Sequence, residues 1–365
     1  MTLLQFAQAY LFGWVFWMTL TLGCVGLTLL YHAVRGSWAL PILRILEAGN
    51  KLLPVMFLAQ IPILILLFTP TGHELYHWLP PVTDPVLQQK TFYLNPPFYV
   101  ARQVIYFAIW WSLMSVLNRS AARQDVSQDP REAQLRANVA APGIVAFVLT
   151  ITFAYTDWVM SLDPHWFSTI FSSWFLVGAG LMTLAFATMI VTWRAWRMQQ
   201  QPWVDILRNN PGFMRDMGNL MLAFTMLWAY FSLSQFLIIW SGNLPEETSY
   251  YLRRTEGVWL LLGAALIGLQ FLVPFLCLLS GRTKRTPGYL FGVALLIFVM
   301  RVVDIFWTVV PFFEEPSYPL CIAGFLAFGA LWLTLFAQNQ RNATVLPTHD
   351  PRLQEALESG ATSHA

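Results

Sequence analysis

The chain has 365 residues, of which 57% are hydrophobic and only 11% are charged. Soluble domains carry about 25% charged residues, so this composition excludes an ordinary soluble domain and indicates a membrane protein. The net charge of +2 offers no basic tract for nucleic acid, and the three cysteines lack the CxxC or CxxCH spacing of zinc, iron–sulfur or covalent haem sites. We therefore expect no metal or other cofactor in this chain and no nucleic-acid partner.

Nine apolar segments are long enough to cross a bilayer, which takes about 20 residues of helix. They lie at residues 8–32, 42–69, 97–118, 140–162, 166–194, 216–241, 257–280, 288–311 and 317–338. The sequence therefore predicts an all-α integral membrane protein, a polytopic bundle of about nine transmembrane helices. This domain covers residues 1–340, and residues 341–365 form a polar tail that we expect to be loose.

Most of the 21 lysines and arginines follow the odd-numbered segments and so fall on one side of the membrane. Because basic loops stay in the cytoplasm, the amino terminus is predicted to be periplasmic and the carboxyl terminus cytoplasmic. No signal-peptide pattern precedes the first segment. The outer loops 69–96 and 241–256 are rich in aromatic residues, which suits docking to an outer partner or contact with the bilayer interface.

The second segment carries a polar face near its cytoplasmic end. Arg44, Glu47 and Lys51 are three and four residues apart, which places them on one side of a helix. Basic side chains near a helix end commonly extend to the interface, which is one interpretation of this group. The other interpretation makes Glu47 the inner acceptor of a proton path.

The fourth segment carries an acidic residue within the membrane. Thr150, Asp157 and Ser161 are seven and four residues apart and share one helix face. At 1.5 Å per residue, Asp157 lies roughly 9 Å from the segment centre. A charge in the bilayer core costs about 2.5–3.5 kcal/mol, so Asp157 is a functional candidate by default. It is either neutralised by a fixed neighbour or titrates.

A polar turn follows Asp157 in the sequence DWVMSLDPHWFST. Asp163 and His165 flank Pro164 in this turn. Aspartate is a common helix cap, and histidine titrates near neutral pH. The two side chains either cap the turn or continue a proton relay from Asp157 to the outer water.

Two further segments carry polar stripes at a similar depth. Their members, three, four or seven residues apart, are Thr225, Ser232 and Gln235 in the sixth segment and Arg301, Asp304 and Thr308 in the eighth. The least costly arrangement in lipid directs these stripes and the Asp157 stripe at one interior, which predicts a shared polar pocket that opens outward. Arg301 and Asp304 can instead form an internal ion pair that holds two helices together.

Several long stretches resemble the NrfD-like membrane subunits of alternative complex III, a bacterial quinol:cytochrome c oxidoreductase. They include KTFYLNPPFYVARQVIYFAIW, FAYTDWVMSLDPHWFSTIF and RVVDIFWTVVPFF, and the resemblance spans nearly the whole chain. It implies a respiratory complex in the inner membrane. The partners would be an NrfD-like sister subunit that oxidises quinol, an iron–sulfur protein and c-type haem proteins.

The resemblance also implies a role for this subunit, which is a proton pathway and energy coupling without a redox cofactor of its own. The positions carried over from the matching motifs are Asp157, Asp163, His165, Arg301 and Asp304. Such subunits usually have ten spans, with an extra helix before YLFGWVFW; either the start of this sequence is assigned late or that helix is absent and a partner covers its place.

Three other functions stay open on the sequence. A quinone-binding membrane anchor of another oxidoreductase would bind a quinol or quinone headgroup in the outer pocket. A secondary transporter would show two repeated halves with broken helices, and we find no such repeat. A structural scaffold would tolerate the loss of Asp157 and Asp304.

Overall fold

The computed structural model describes residues 2–34, 36–197, 202–210, 212–341, 346–347, 349–353 and 355. Over these residues the chain forms helices and turns and no β-strand. Within the same ranges, nine helices are long and apolar enough to cross a membrane, which confirms the predicted bundle. We number them as spans in chain order: Leu3–Ala33, Leu43–Leu66, Pro96–Ser127, Pro130–Leu162, Phe171–Arg197, Gly212–Gly242, Gly257–Leu279, Pro287–Phe312 and Tyr318–Arg341.

Short polar side chains cap the starts of several spans, where backbone N–H groups have no helical partner. The Thr2 hydroxyl accepts a hydrogen bond from the Gln5 N–H, and the Gln5 side-chain oxygen accepts one from the Thr2 N–H, which forms a capping box. Asn95 caps the third span in the same way, and Asp129 caps the fourth. Both are followed by proline, which suits the first helical turn because its missing N–H would be unpaired there.

The second span is broken into the helices Leu43–Asn50, Leu53–Leu58 and Ile61–Leu66. Pro54 and Pro62 lie at the starts of the second and third pieces and cannot donate the helical hydrogen bond. The first span compensates, because Trp14 Nε1 donates to the Met56 carbonyl and the Tyr10 hydroxyl donates to the Ala59 carbonyl. Neighbouring helices thus satisfy the backbone groups that the breaks release into the membrane.

The seventh span also changes its helix type. It consists of the α-helix Gly257–Ala265, a π-helical segment at Leu266–Leu272 and the α-helix Val273–Leu279. This span is mostly exposed on the surface of the bundle. Gln270 in the π-helical segment is nevertheless fully buried.

The first span is the most enclosed helix and packs against the second, fourth, fifth and ninth spans. The fifth span in turn packs against the sixth and eighth spans. Glycines permit the closest approaches, since a Cβ at Gly23 would overlap the Ala179 carbonyl oxygen. Small residues of this kind allow tight packing between helices in lipid.

We name the two ends of the bundle after the two ends of the first span. The amino end carries Leu3 and Pro96, and the carboxyl end carries Ala33 and Ser127. Short helices at the amino end are Pro70–Leu75, Pro85–Lys90 and Pro245–Leu252, and those at the carboxyl end are Pro202–Asn209 and Gly281–Arg285. Single 3₁₀ turns at Met160–Leu162 and Val310–Phe312 finish the fourth and eighth spans.

Part of the tail folds back onto the carboxyl end. Leu346, Asp350 and Leu353 are buried. The prediction of a loose tail is therefore wrong for these residues. Residues 342–345, 348, 354 and 356–365 lie outside the described residues.

Candidate functional site

Asp157 forms a bidentate ion pair with Arg102 of the third span. Arg102 Nε lies 3.0 Å from Asp157 Oδ2, and its Nη2 lies 2.9 Å from Oδ1. Asp157 is wholly buried, and Arg102 is 5% exposed. Charge-assisted pairs with this fork geometry are the strong ones, so the buried carboxylate has a fixed counter-ion.

Two more side chains of the third span complete the Asp157 site. Gln103 Nε2 and the Tyr106 hydroxyl each donate a hydrogen bond of 3.1 Å to Asp157 Oδ2. The side-chain oxygen of Gln103 accepts hydrogen bonds from Gln60 Nε2 and from Trp158 Nε1, so the site extends to the second span. Both oxygens of Asp157 are therefore hydrogen-bonded to protein groups.

The sequence analysis did not identify the third-span residues that hold Asp157. The signal was present in the spacing, since Arg102, Gln103 and Tyr106 lie within four residues and can share one side of a helix. Arg102 also stacks over the ring of Tyr93, 3.8 Å from its centroid. This contact further encloses the guanidinium group.

Arg301 and Asp304 form a second buried pair, within the eighth span. Arg301 Nη1 donates to Asp304 Oδ2, which also accepts from Trp228 Nε1 of the sixth span at 3.0 Å. The guanidinium group lies against Gly178 of the fifth span, where a Cβ would overlap Nη2. The predicted internal ion pair is therefore present, and it is packed against two other spans.

Asp304 differs from Asp157 in the state of its second oxygen. Asp304 Oδ1 has no hydrogen-bond partner among the described residues. Asp304 also lines a small cavity that has room for about one water molecule. The cavity is lined by Trp174, Phe175, Arg301, Asp304, Ile305 and Thr308.

The prediction of one polar pocket shared by Asp157 and Asp304 is wrong, because the two carboxylates have different partners. A chain of aromatic contacts lies between the sites. The rings of Trp158 and Tyr155 are 5.6 Å apart, and those of Tyr155 and Phe175 are 4.5 Å apart. Trp158 binds Gln103 of the first site, whereas Phe175 lines the cavity of the second.

The turn after Asp157 does not continue its hydrogen bonds outward. Ser161 donates to the backbone carbonyl of Asp157 instead of its carboxylate. Asp163 pairs with Arg253 at 3.0 Å, and the half-exposed His165 pairs with Asp84 at 3.0 Å. These contacts tie the turn to the loops 69–96 and 241–256 at the amino end of the bundle.

Gln235, the outermost predicted residue of the sixth span, also has a partner of its own. Its side-chain oxygen accepts a hydrogen bond from the Ser168 hydroxyl. Gln235 therefore fixes the turn before the fifth span and contacts neither buried carboxylate.

A buried arginine closes the amino end beside the Asp304 site. Arg254 donates to the backbone carbonyls of Trp307, Thr308 and Tyr250. Its guanidinium group lies 3.7 Å from the Tyr250 ring centroid. Burial raises the pKa of Tyr250 to about 12, so its hydroxyl stays protonated. Arg254 thereby covers the last turn of the eighth span, one turn beyond Asp304.

Glu47 belongs to a separate group at the carboxyl end. It pairs with Arg44 at 2.7 Å, and Arg44 also contacts Asp125 of the third span at 2.5 Å. Further along the second span, Asn50 joins Thr28 of the first span to Asn118 of the third. Glu47 is thus part of an ion-pair network, and its role as a proton acceptor stays a prediction.

Within the described ranges, no group of three or more His, Cys, Asp or Glu residues could hold a metal ion. The two buried pairs described above consist of carboxylates and arginines with neutral polar neighbours. These groups can bind, orient and transfer protons, and they do not by themselves carry electrons.

In comparisons with known proteins, no protein-family model matches the sequence, and no curated protein matches it.

Proposed function

We propose that this chain is a membrane subunit of a quinol:cytochrome c oxidoreductase of the alternative complex III type, similar to the NrfD-like subunit ActF. In this proposal it lies in the bacterial inner membrane with a periplasmic amino terminus. Its partners are an NrfD-like sister subunit, an iron–sulfur protein and c-type haem proteins, which hold the redox cofactors. The resemblance of the long sequence stretches and the nine-span bundle support the assignment.

The chain contributes a proton pathway and energy coupling, and the observation that carries this role is the geometry of Asp304. Its carboxylate is buried within the bundle, and one oxygen is held by Arg301 and Trp228. The other oxygen has no partner among the described residues, and Asp304 lines a cavity of about one water molecule. A water there would accept or donate the proton, while Arg301 holds the carboxylate in place.

Asp157 has a supporting role in this proposal. Its two oxygens accept four hydrogen bonds from third-span side chains, which stabilise the ionised form. A carboxylate that is fully bonded to protein groups exchanges a proton only if this pair opens. We therefore assign proton exchange to Asp304 and attachment of the third span to Asp157.

The experiment is the Asp304→Asn variant in the complete complex, purified with its haem and iron–sulfur subunits. We expect the rate of quinol oxidation to fall about 100-fold or more, as for the loss of a proton-transfer group, or the yield of released protons per electron to fall toward that of quinol oxidation alone. Because the neutral amide leaves Arg301 without a counter-ion, Asp304→Glu serves as the conservative variant and should retain both activities. Unchanged turnover and proton yield in Asp304→Asn would support a structural scaffold instead.

A quinone-binding anchor is the second candidate, and one observation favours it. An apolar groove opens on the surface of the bundle between the first and ninth spans, lined by Phe6, Ala9, Tyr10, Ala59, Leu320, Ala323, Gly324, Ala327, Phe328 and Leu331. Such a groove suits an isoprenoid tail. A photoreactive quinone that labels Tyr10 or Phe328 in the intact complex would favour this candidate, and labelling confined to other subunits would oppose it.

A further inference from the structure

A basic pocket lies at the carboxyl end, remote from both buried pairs described above. Arg136 of the fourth span is 2% exposed and donates to the side chains of Gln124 and Ser120. Both of these partners are neutral. A buried guanidinium group needs an anion to offset the loss of water, so the pocket demands a negatively charged ligand.

The chain's own tail supplies that anion. The Asp350 carboxylate lies 3.7 Å from Arg136 Nη2 and accepts a hydrogen bond from the Tyr31 hydroxyl at 3.3 Å. Asp350 is only 2% exposed, although it comes from a segment beyond the last span. Its other oxygen accepts from the Arg352 backbone N–H at 3.0 Å, which fixes the carboxylate in a turn. The aspartate is therefore seated as a ligand in the pocket.

Other tail residues hold the turn against the bundle. Arg352 Nη1 donates to the Tyr31 backbone carbonyl at 2.9 Å, and its guanidinium group lies 4.2 Å from the Tyr31 ring centroid. Leu346 and Leu353 are buried on either side of Asp350. The docked segment thus combines a charge pair, a cation–π contact and two apolar anchors.

His32 lies beside Tyr31, the residue that the docked tail contacts. It is 3% exposed, its ring is 5.1 Å from that of Tyr31, and its Nδ1 has no hydrogen-bond partner among the described residues. One turn deeper in the first span, Thr28 accepts from Asn50, which continues the polar groups into the bundle. The tail therefore covers the point where this polar region meets the water of the carboxyl end.

We propose that Tyr31 and Arg136 form a carboxylate-binding site whose ligand is Asp350 of the tail, and that the docked tail shields the neighbouring His32. The docked tail closes the polar interior of the first and fourth spans against water from the carboxyl end. Release of Asp350 opens the site to water or to another carboxylate. This inference rests on the contacts of the tail and holds whether or not the chain belongs to a respiratory complex.

The test measures access to His32 in the full chain. The native Cys24, Cys277 and Cys321 are replaced by serine, and His32→Cys serves as the probe for a charged, membrane-impermeant maleimide in detergent solution. We expect Asp350→Asn to raise the labelling rate at least about tenfold, which corresponds to about 1.4 kcal/mol of lost docking energy. Glu355→Gln is the matched control, because it removes a charge from an exposed tail residue and should leave the rate unchanged.

Two further probes keep the result interpretable. Thr19→Cys, at a fully buried position deeper in the first span, should stay unreactive in every tail variant and thereby show that the bundle remains folded. Deletion of residues 346–365 should accelerate labelling at His32→Cys at least as much as Asp350→Asn. Equal labelling rates in the full chain, the Asp350→Asn variant and the deletion, whether all slow or all fast, would overturn the proposal.

Discussion

The two buried carboxylate–arginine pairs are similar in composition and different in construction. Asp157 is held by a residue 55 positions away on another span, whereas Asp304 is held by an arginine three positions away on its own helix. The four hydrogen bonds that the Asp157 carboxylate accepts all come from the third span. At Asp304 one oxygen is fixed by Arg301 and Trp228, the other has no partner among the described residues, and the residue lines a cavity.

This difference separates two uses of a charge inside a membrane. A pair that bridges spans and satisfies both oxygens joins helices, and removal of either partner leaves an uncompensated charge. A pair that is held on one side and borders a water-sized cavity keeps a route for proton exchange. The four predictions below separate these uses.

The largest effect is expected for Arg102→Met. This change leaves the Asp157 carboxylate buried with only Gln103 and Tyr106 as donors. We expect the free energy of unfolding to fall by about 3–5 kcal/mol, measured by thermal or denaturant unfolding in detergent. The double variant Arg102→Met/Asp157→Asn should regain much of that loss, since it removes both charges. Equal stability of the single variant and the parent would show that the pair does not join the spans.

A smaller effect is expected for Gly178→Ala in the fifth span. The added methyl would overlap Arg301 Nη2, so the guanidinium group must move away from its position beside Asp304. We expect a loss of about 1–3 kcal/mol in unfolding free energy, typical of overpacking. Gly268→Ala is the matched control, because a Cβ there meets no atom within 4 Å. If Gly178→Ala and Gly268→Ala change the unfolding free energy equally, the Arg301 guanidinium group does not pack closely against Gly178.

The smallest effect is expected for His165→Asn. His165 is half exposed and its pair with Asp84 lies on the surface, where ion pairs contribute about 0–1 kcal/mol. The proton yield of the complex should also stay unchanged, because His165 pairs with Asp84 and not with Asp157. A marked loss of proton release would restore the relay predicted from the sequence and would weaken the separation drawn above.

Much of the fold could be predicted, because a span is a local property of the sequence. All nine apolar segments correspond to helices of the bundle, and prolines such as Pro54 and Pro62 mark real breaks. The ion pair between Arg301 and Asp304 could also be predicted, since residues three apart lie on the same side of a helix.

The contacts between spans could not be predicted in the same way. Helical spacing identified the face of Asp157, but it gave no information on which helix packs against that face. Arg102 was therefore not identified as the partner of Asp157, and separate stripes were assigned to one pocket. The tail was missed for a related reason, because a polar composition hides the few residues, such as Asp350 and Leu353, that dock.

The sharpest test of Asp304 as the proton-exchanging carboxylate is a redox-induced infrared difference spectrum of the complete complex. The signal of interest is the carbonyl stretch of a protonated carboxylic acid, compared between Asp157→Asn and Asp304→Asn. We expect the band to persist in Asp157→Asn and to disappear in Asp304→Asn. A band that disappears in Asp157→Asn and persists in Asp304→Asn would assign proton exchange to the pair that we regard as structural.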